Sequence, residues 1–156
     1  MPIRVAIFDD NKKIRHSLEI LISGSPGLEV TGTFDDALDV ENKISKSSPD
    51  IVLMDIEMPG VTGIEAVKKI RKKFPNLTVI MQTVFDDDEK IFQSIINGAS
   101  GYILKNASPV FLLQALEEAY HGGAPMSPSI AKKVLMIMQQ QQEVKKPADD
   151  FNLTER

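Results

Sequence analysis

The stretch that decides the fold is Asp-Ile-Val-Leu-Met-Asp-Ile-Glu-Met-Pro-Gly-Val-Thr-Gly, residues 50–63. Its four apolar residues, 51–54, are typical of a short strand. Asp55 follows that strand directly and precedes a tight loop, so its carboxylate is expected to project from the edge of a sheet. Thr62-Gly63 then opens a helix.

Strand and helix patterns alternate outward from this stretch. Strands are predicted at Ile3–Phe8, Leu28–Phe34, Ile51–Met54, Leu77–Met81 and Gly101–Leu104. Helices are predicted at about residues 11–23, 35–47, 62–74, 86–97 and 108–121. Right-handed crossovers between such βα units put helices on both faces of a parallel sheet. The sequence therefore predicts a doubly wound α/β domain with five parallel strands in the order 2-1-3-4-5.

The pattern changes after Gly123. Residues 127 to about 138 predict one more amphipathic helix, and the polar run 139–150 is typical of a linker. We expect residues 1–123 to form the main domain, residues 124–152 a helix and linker, and residues 153–156 the start of a truncated further domain.

Composition excludes several classes of protein. The chain has 156 residues, 42% hydrophobic and 26% charged, which suits one soluble domain with a real core. It has no cysteine, which excludes disulfides and thiolate catalysis, and His16 and His121 form no metal motif. No apolar run approaches the roughly 18 residues of a membrane helix, and no signal peptide is visible, so a cytoplasmic location is expected. The net charge of −4 argues against this segment binding nucleic acid by itself.

Chemically distinctive side chains stand where the predicted strands end. They are Asp9, Asp10, Asp55, Thr83 and Lys105. Because open α/β sheets bind ligands at the carboxyl edge of their strands, these groups are expected to share one crevice. Clustered acids suit a hard divalent cation, and a lysine beside that cation suits a phosphoryl group. Any one of these residues alone would be explained as a helix cap or a solvated charge, so the prediction rests on their coincidence.

We predict Asp55 as a nucleophile that attacks phosphorus and forms an acyl phosphate. The attack joins two anions and therefore needs a divalent cation, for which Mg²⁺ fits best. The predicted ligands are the carboxylates of Asp10 and Asp55 and the backbone carbonyl of Glu57. Asp9 is expected to act one step back, by its charge or through water.

Lys105 and Thr83 are expected to complete the catalytic group. The Lys105 ammonium would pair with one phosphoryl oxygen, and the Thr83 hydroxyl would donate to another. Movement of Thr83 toward the phosphoryl group would pull the loop after the fourth strand, and Tyr102 would swing into the space left behind. Phosphorylation is a local change of charge, and such a change shifts the equilibrium between two conformations of the loop. Taken alone, Tyr102 is also explained by half-buried packing.

Four stretches of the chain resemble the receiver domain of bacterial two-component response regulators. They are Val5–Asn11, Asp55–Gly63, Gln82-Thr83 and Gly98–Lys105. The pattern Asp-x-x-Met-Pro-x-x-x-Gly is highly specific, and Gly-Ala-x-Gly-Tyr-x-x-Lys is nearly so. The resemblance covers about residues 3–121 and implies a flavodoxin/CheY-like fold, bound Mg²⁺ and a sensor histidine kinase that phosphorylates Asp55. The residue roles that it implies agree with those assigned above.

Further features resemble the NarL/FixJ subfamily, which carries a LuxR-type helix-turn-helix output domain. They are Gly-Ala-Ser-Gly-Tyr at residues 98–102, the helix starting at Ser127-Pro128, and the terminal Leu153–Arg156. The resemblance implies a switch rather than an enzyme, one that assists its own phosphotransfer and dephosphorylation. It would bind DNA only through the missing C-terminal domain and would bind no membrane. A homodimer is expected on phosphorylation, through the last receiver helix or through the helix at 88–97 with the fifth strand.

The same residues argue against three other functions. A phosphate-independent interaction module on this fold is disfavoured because Asp55, Asp10 and Lys105 are all present. An aspartyl phosphatase places a general acid two residues after its nucleophile, and Glu57 has that spacing but lies in Asp-x-Glu-x-Pro rather than Asp-x-Asp. A flavin-binding function is disfavoured because the first loop lacks a Gly/Ser/Thr phosphate cradle.

Val84 stands where the family usually has a small residue, which predicts narrowed access to the phosphoryl group.

Overall fold

Five parallel strands form one sheet in the order β2-β1-β3-β4-β5 in the computed structural model, which describes residues 1–140. The strands are β1 (Ile3–Phe8), β2 (Leu28–Phe34), β3 (Ile51–Met54), β4 (Thr78–Thr83) and β5 (Gly101–Leu104). The helices are α1 (Lys12–Ser23), α2 (Val40–Ser47), α3 (Gly63–Lys73), α4 (Asp88–Ile96), α5 (Pro109–Tyr120) and α6, which covers residues 128–140. The predicted doubly wound α/β fold and its strand order are confirmed.

Two apolar clusters lie on opposite faces of the sheet. One joins β-strand residues such as Met54, Met81 and Tyr102 to side chains of α2, α3, α4 and α6. The other joins residues such as Ile7 and Leu53 to side chains of α1 and α5. Successive strand residues therefore face different helices, as expected for a parallel sheet that is covered on both sides.

Polar caps fix where the helices begin, next to the carboxyl ends of the strands. The side chain of Asn11 accepts from the backbone N–H of Ile14 at 3.1 Å and starts α1. Thr62 and Glu65 form a capping box at the start of α3. Asn11 lies three residues after the end of β1, and Thr62 lies eight residues after the end of β3, so the two caps end one short loop and one longer loop at this edge of the sheet.

The second helix begins later than the sequence pattern predicts. The pattern predicts a start at about residue 35, but α2 begins at Val40. Asp36 accepts a hydrogen bond from the backbone N–H of Leu38 at 3.0 Å, and Asp39 has a left-handed φ of 54°. Local side-chain bonds of this kind compete with a helix, so the residues before Val40 form a turn.

The chain returns to the sheet after α5. The backbone N–H of Tyr102 donates to the carbonyl of Pro125 at 3.0 Å, and that of Ser127 donates to the carbonyl of Tyr102 at 3.1 Å. Residues 125–127 therefore cover the free edge of β5, and α6 follows with Ile130 fully buried. The C-terminal helix predicted at 127–138 is present and runs on through residue 140.

Residues 141–156, with the rest of the predicted linker and the predicted domain start at 153–156, lie outside the described residues. Within residues 1–140, no helix combines the length and apolar character needed to cross a membrane.

Candidate functional site

The carboxyl ends of β1, β3 and β5 bring three acids and a lysine together. Asp9, Asp10 and Asp55 each offer a carboxylate oxygen, and these three atoms all lie within 4.8 Å of one another. The Nζ atom of Lys105 lies 2.8 Å from Oδ2 of Asp9 and 2.8 Å from Oδ2 of Asp55. The cluster sits where the strand order reverses between β1 and β3, as the sequence predicts.

Backbone hydrogen bonds continue past the strand ends and hold these residues in register. The N–H of Asp9 donates to Phe34 at 3.0 Å, that of Asp55 to Phe8 at 3.0 Å, and that of Lys105 to Thr83 at 2.9 Å. The charged groups therefore stand on rigid extensions of the sheet rather than on free loops, which favours a fixed geometry.

Burial shapes the electrostatics of the cluster. The side chains of Asp9 and Asp55 are only 3% and 7% exposed, that of Lys105 is 12% exposed, and Asp10 faces solvent. Burial raises the pKa of Asp55 above its ordinary value, although the hydrogen bond from Lys105 opposes this. For Lys105, burial alone would lower the pKa, but hydrogen bonds to Asp55 and Asp9 outweigh it and raise the pKa. The lysine therefore stays charged between its partners.

The donor set fits a divalent cation. The cluster sets three carboxyl groups against one lysine, which is an excess of two acidic groups in a small volume. Carboxylate oxygens are the ligands that Mg²⁺ prefers, and a doubly charged ion would offset the excess. The side chain of Glu57 is exposed and its carboxylate is not part of the cluster, so any contribution from this residue would come from its backbone.

The loop after β3 packs tightly against its own helix. The backbone N–H of Ile56 donates to Oδ1 of Asp55 at 2.8 Å, and that of Gly63 donates to the carbonyl of Ile56 at 2.7 Å. A Cβ atom on Gly63 would lie 1.8 Å from the carbonyl oxygen of Asp55. Sequence reasoning placed Gly63 only at a helix start. The sequence signal for its close packing against Asp55 is its position eight residues after Asp55, in the pattern Asp-x-x-Met-Pro-x-x-x-Gly.

Thr83 and Tyr102 meet at one loop residue. Thr83 is fully buried at the end of β4, and its Oγ1 accepts from the backbone N–H of Phe85 at 3.3 Å. The Tyr102 ring is also fully buried, and its hydroxyl donates to the carbonyl of Phe85 at 2.6 Å. Burial raises the pKa of Tyr102, so its hydroxyl remains a donor. The ring of Tyr102 is therefore already fully buried in this structure, rather than half-buried or outside and free to swing inward.

Comparisons with known proteins give one consistent family. Residues 5–117 match the response regulator receiver domain. The chain is 35% identical over 133 residues to the transcriptional regulatory protein YxjL of Bacillus subtilis, and 32% identical over 133 residues to the oxygen regulatory protein NreC of Staphylococcus carnosus. Each alignment covers 85% of this chain and 61% of the relative, so the chain spans less than two thirds of their length.

A solved structure agrees with these sequence matches. The crystal structure of a LuxR-family two-component response regulator from Aurantimonas sp. SI85-9A1 has a TM-score of 0.82 and 31% identity, and the match covers 88% of this chain and 99% of that one. The family match extends over most of the chain and includes the strand ends that carry the acid cluster. This chain therefore belongs to the response regulator receiver domain family, in its NarL/LuxR-type branch.

Proposed function

We propose that this chain is a phosphorylation switch in which Asp55 accepts a phosphoryl group with the help of Mg²⁺. The observation that carries the proposal is the placement of Lys105, whose ammonium bridges Asp9 and Asp55 at 2.8 Å beside the exposed carboxylate of Asp10. A buried nucleophile, a fixed cation and a solvent-facing ligand are the parts that phosphoryl transfer needs.

Asp10 and Asp55 would hold the metal ion together with the backbone carbonyl of Glu57, while Asp9 acts from one step back. When bound, Mg²⁺ neutralises charge between the nucleophile and the phosphoryl oxygens. In transfer from a phosphorylated histidine of the kinase, one Asp55 oxygen forms the new O–P bond while the bond between phosphorus and the histidine nitrogen breaks. The electron pair of that bond leaves with the nitrogen.

Lys105 and Thr83 serve the transferred group. The ammonium of Lys105 exchanges its contact with the Asp55 carboxylate for one with a phosphoryl oxygen. The hydroxyl of Thr83 donates to a second phosphoryl oxygen, and this movement pulls on Phe85, to which Thr83 is already bonded. The same contacts support dephosphorylation, in which water attacks phosphorus, the O–P bond to Asp55 breaks and inorganic phosphate leaves.

The proposed donor is a sensor histidine kinase, and the proposed output is transcription through a LuxR-type DNA-binding domain that follows this segment. The relatives named as regulators and the LuxR-family structure support this output. We propose residues 1–123 as the receiver, residues 124–152 as helix and linker, and residues 153–156 as the start of the output domain. A homodimer would form on phosphorylation, through α5 or through α4 with β5. A cytoplasmic location is part of the same proposal.

Intact mass after incubation with acetyl phosphate and Mg²⁺ tests the central step. We expect an adduct of one phosphoryl group in the wild type and none in Asp55→Asn. Asp50→Asn is the matched control, because Asp50 stands at the opposite end of β3, bonded to the backbone N–H of Arg4 at 2.9 Å. An adduct that persists in Asp55→Asn would show that another residue accepts the phosphoryl group. No adduct in the wild type would favour the phosphate-independent interaction module.

A further inference from the structure

The loop between β4 and α4, residues 84–87, is clamped from two sides, and we call it the switch loop. The carbonyl of Phe85 accepts from the hydroxyl of Tyr102 on β5 at 2.6 Å. The next carbonyl, that of Asp86, accepts from the Nζ atom of Lys133 on α6 at 2.5 Å. The loop that follows Thr83 is thus hydrogen-bonded directly to the C-terminal helix.

The first part of the C-terminal segment is firmly anchored. Residues 125–127 pair with β5, and the Ser127 hydroxyl accepts from the backbone N–H of Leu104 at 3.0 Å. Ile130 is fully buried in the same apolar cluster as Tyr102. Strand pairing together with core burial makes this part, residues 125–130, continuous with the sheet.

The outer part of α6, residues 131–140, is held much more loosely. Val134 and Ile137 are only half-buried, and the exposed apolar residues on this part of the helix are Leu135, Met136 and Met138. An apolar groove of about 380 Å³ separates this part of the helix from α4. A helix with so few buried contacts lies at the low-stability end of a fold. Val134 and Ile137 pack against the apolar cluster from this part of the helix, and the hydrogen bond from Lys133 to the switch loop is the polar contact that adds to them.

We propose that phosphorylation of Asp55 draws the switch loop away from Lys133 and frees residues 131–140, while residues 125–130 stay in place. This inference rests on the proposed function, in which Thr83 moves toward the phosphoryl group. Because a hydrogen bond is lost beyond about 3.5 Å, a loop movement that carries the Asp86 carbonyl about 1 Å out of reach of the Lys133 side chain breaks the contact. The outer half of α6 then loses its contact with the switch loop.

Thermodynamic linkage gives the inference a second consequence. If docking of α6 favours the unphosphorylated arrangement, then removing the Lys133 contact must favour the phosphorylated one by the same factor. Lys133→Gln should therefore bind beryllofluoride, a phosphoryl mimic, about fivefold more tightly in the presence of Mg²⁺. Lys132→Gln is the matched control, because Lys132 is the neighbouring lysine on the same helix and faces solvent.

Hydrogen–deuterium exchange of the 156-residue chain tests the inference, with and without beryllofluoride and Mg²⁺. We expect exchange in residues 131–140 to speed up about fivefold in the beryllofluoride state, with no change in residues 125–130. The Lys133→Gln chain should exchange fast in both states, and the Lys132→Gln chain should match the wild type.

The outcomes separate this inference from the proposed function. If intact mass shows phosphorylation of Asp55 but exchange in residues 131–140 is unchanged or slower, the inference is wrong and the proposed function stands. Equal beryllofluoride affinity in Lys133→Gln and Lys132→Gln would also overturn it. If the wild type takes up no phosphoryl group at all, the proposed function and this inference fail together.

Discussion

Gly63→Ala is expected to slow phosphorylation of Asp55 by about 100-fold. The new Cβ would lie 1.8 Å from the carbonyl oxygen of Asp55, and carbon and oxygen atoms do not approach closer than about 3.0 Å. The backbone of one partner must therefore move by roughly 1 Å, and a misplacement of that size at a reacting group costs about two orders of magnitude in rate. The movement falls on Asp55 because Gly63 is tied into the same loop by its bond to Ile56.

The same substitution should also lower the stability of the fold. Overpacking costs about 1–3 kcal/mol, which exceeds the gain of up to about 1 kcal/mol from replacing glycine inside a helix. The melting temperature should therefore fall by a few degrees, with the protein still folded at 25 °C.

The assay is the initial rate of adduct formation from acetyl phosphate and Mg²⁺, followed by intact mass and normalised to the folded fraction from circular dichroism. Gly24→Ala is the control, because Gly24 lies at the far end of α1 with φ −80° and its added Cβ would be 3.1 Å from the carbonyl of Ile20. It should react at the wild-type rate. A folded Gly63→Ala chain that reacts within threefold of the wild type would refute the reasoning.

Three further predictions follow from the site. Free Mg²⁺ at ten times its Kd should stabilise the wild type by about 1.4 kcal/mol, and Asp10→Asn should lose most of this; equal thermal shifts in both chains would contradict the metal assignment. In metal-free buffer, Asp55 binds its proton more tightly when folded because burial raises its pKa, so its ionisation disfavours folding as the pH rises through that pKa. Urea unfolding should therefore show Asp55→Asn gaining stability relative to the wild type between pH 3 and pH 7, whereas a constant difference would disagree. Val84 is 68% exposed in the switch loop next to Thr83, and Val84→Ala should shorten the lifetime of the phosphorylated chain in a mass time course; an unchanged lifetime would reject a shielding role.

The sequence predicts the sheet well because its strands are short apolar runs with sharp ends. Ile51–Met54 and Gly101–Leu104 have the same bounds in the pattern and in the structure. The start of α2 was not predictable from periodicity, because the turn at Asp36 and Asp39 depends on one side-chain bond and one left-handed residue. Patterns of hydrophobicity do not register such local competition.

The functional site, like the fold, was predictable only in part. The convergence of Asp9, Asp10, Asp55 and Lys105 was predictable, because each residue comes just after a strand and the parallel topology places those strand ends at one edge of the sheet. The contact between Lys133 and the switch loop does not follow from either. It depends on how α6 crosses the sheet edge, which is a packing outcome that the 3.6-residue period leaves undetermined.

The pairing of residues 125–127 with β5 has a practical consequence for anyone shortening this chain. Gly101 leaves room for that pairing, since a Cβ there would lie 2.5 Å from the carbonyl of Pro125. A version ending at residue 123 would uncover the backbone groups of β5 and the apolar surface beneath Ile130. Bare strand edges recruit other chains, so such a fragment would tend to self-associate, and that aggregation would imitate signal-dependent dimerisation.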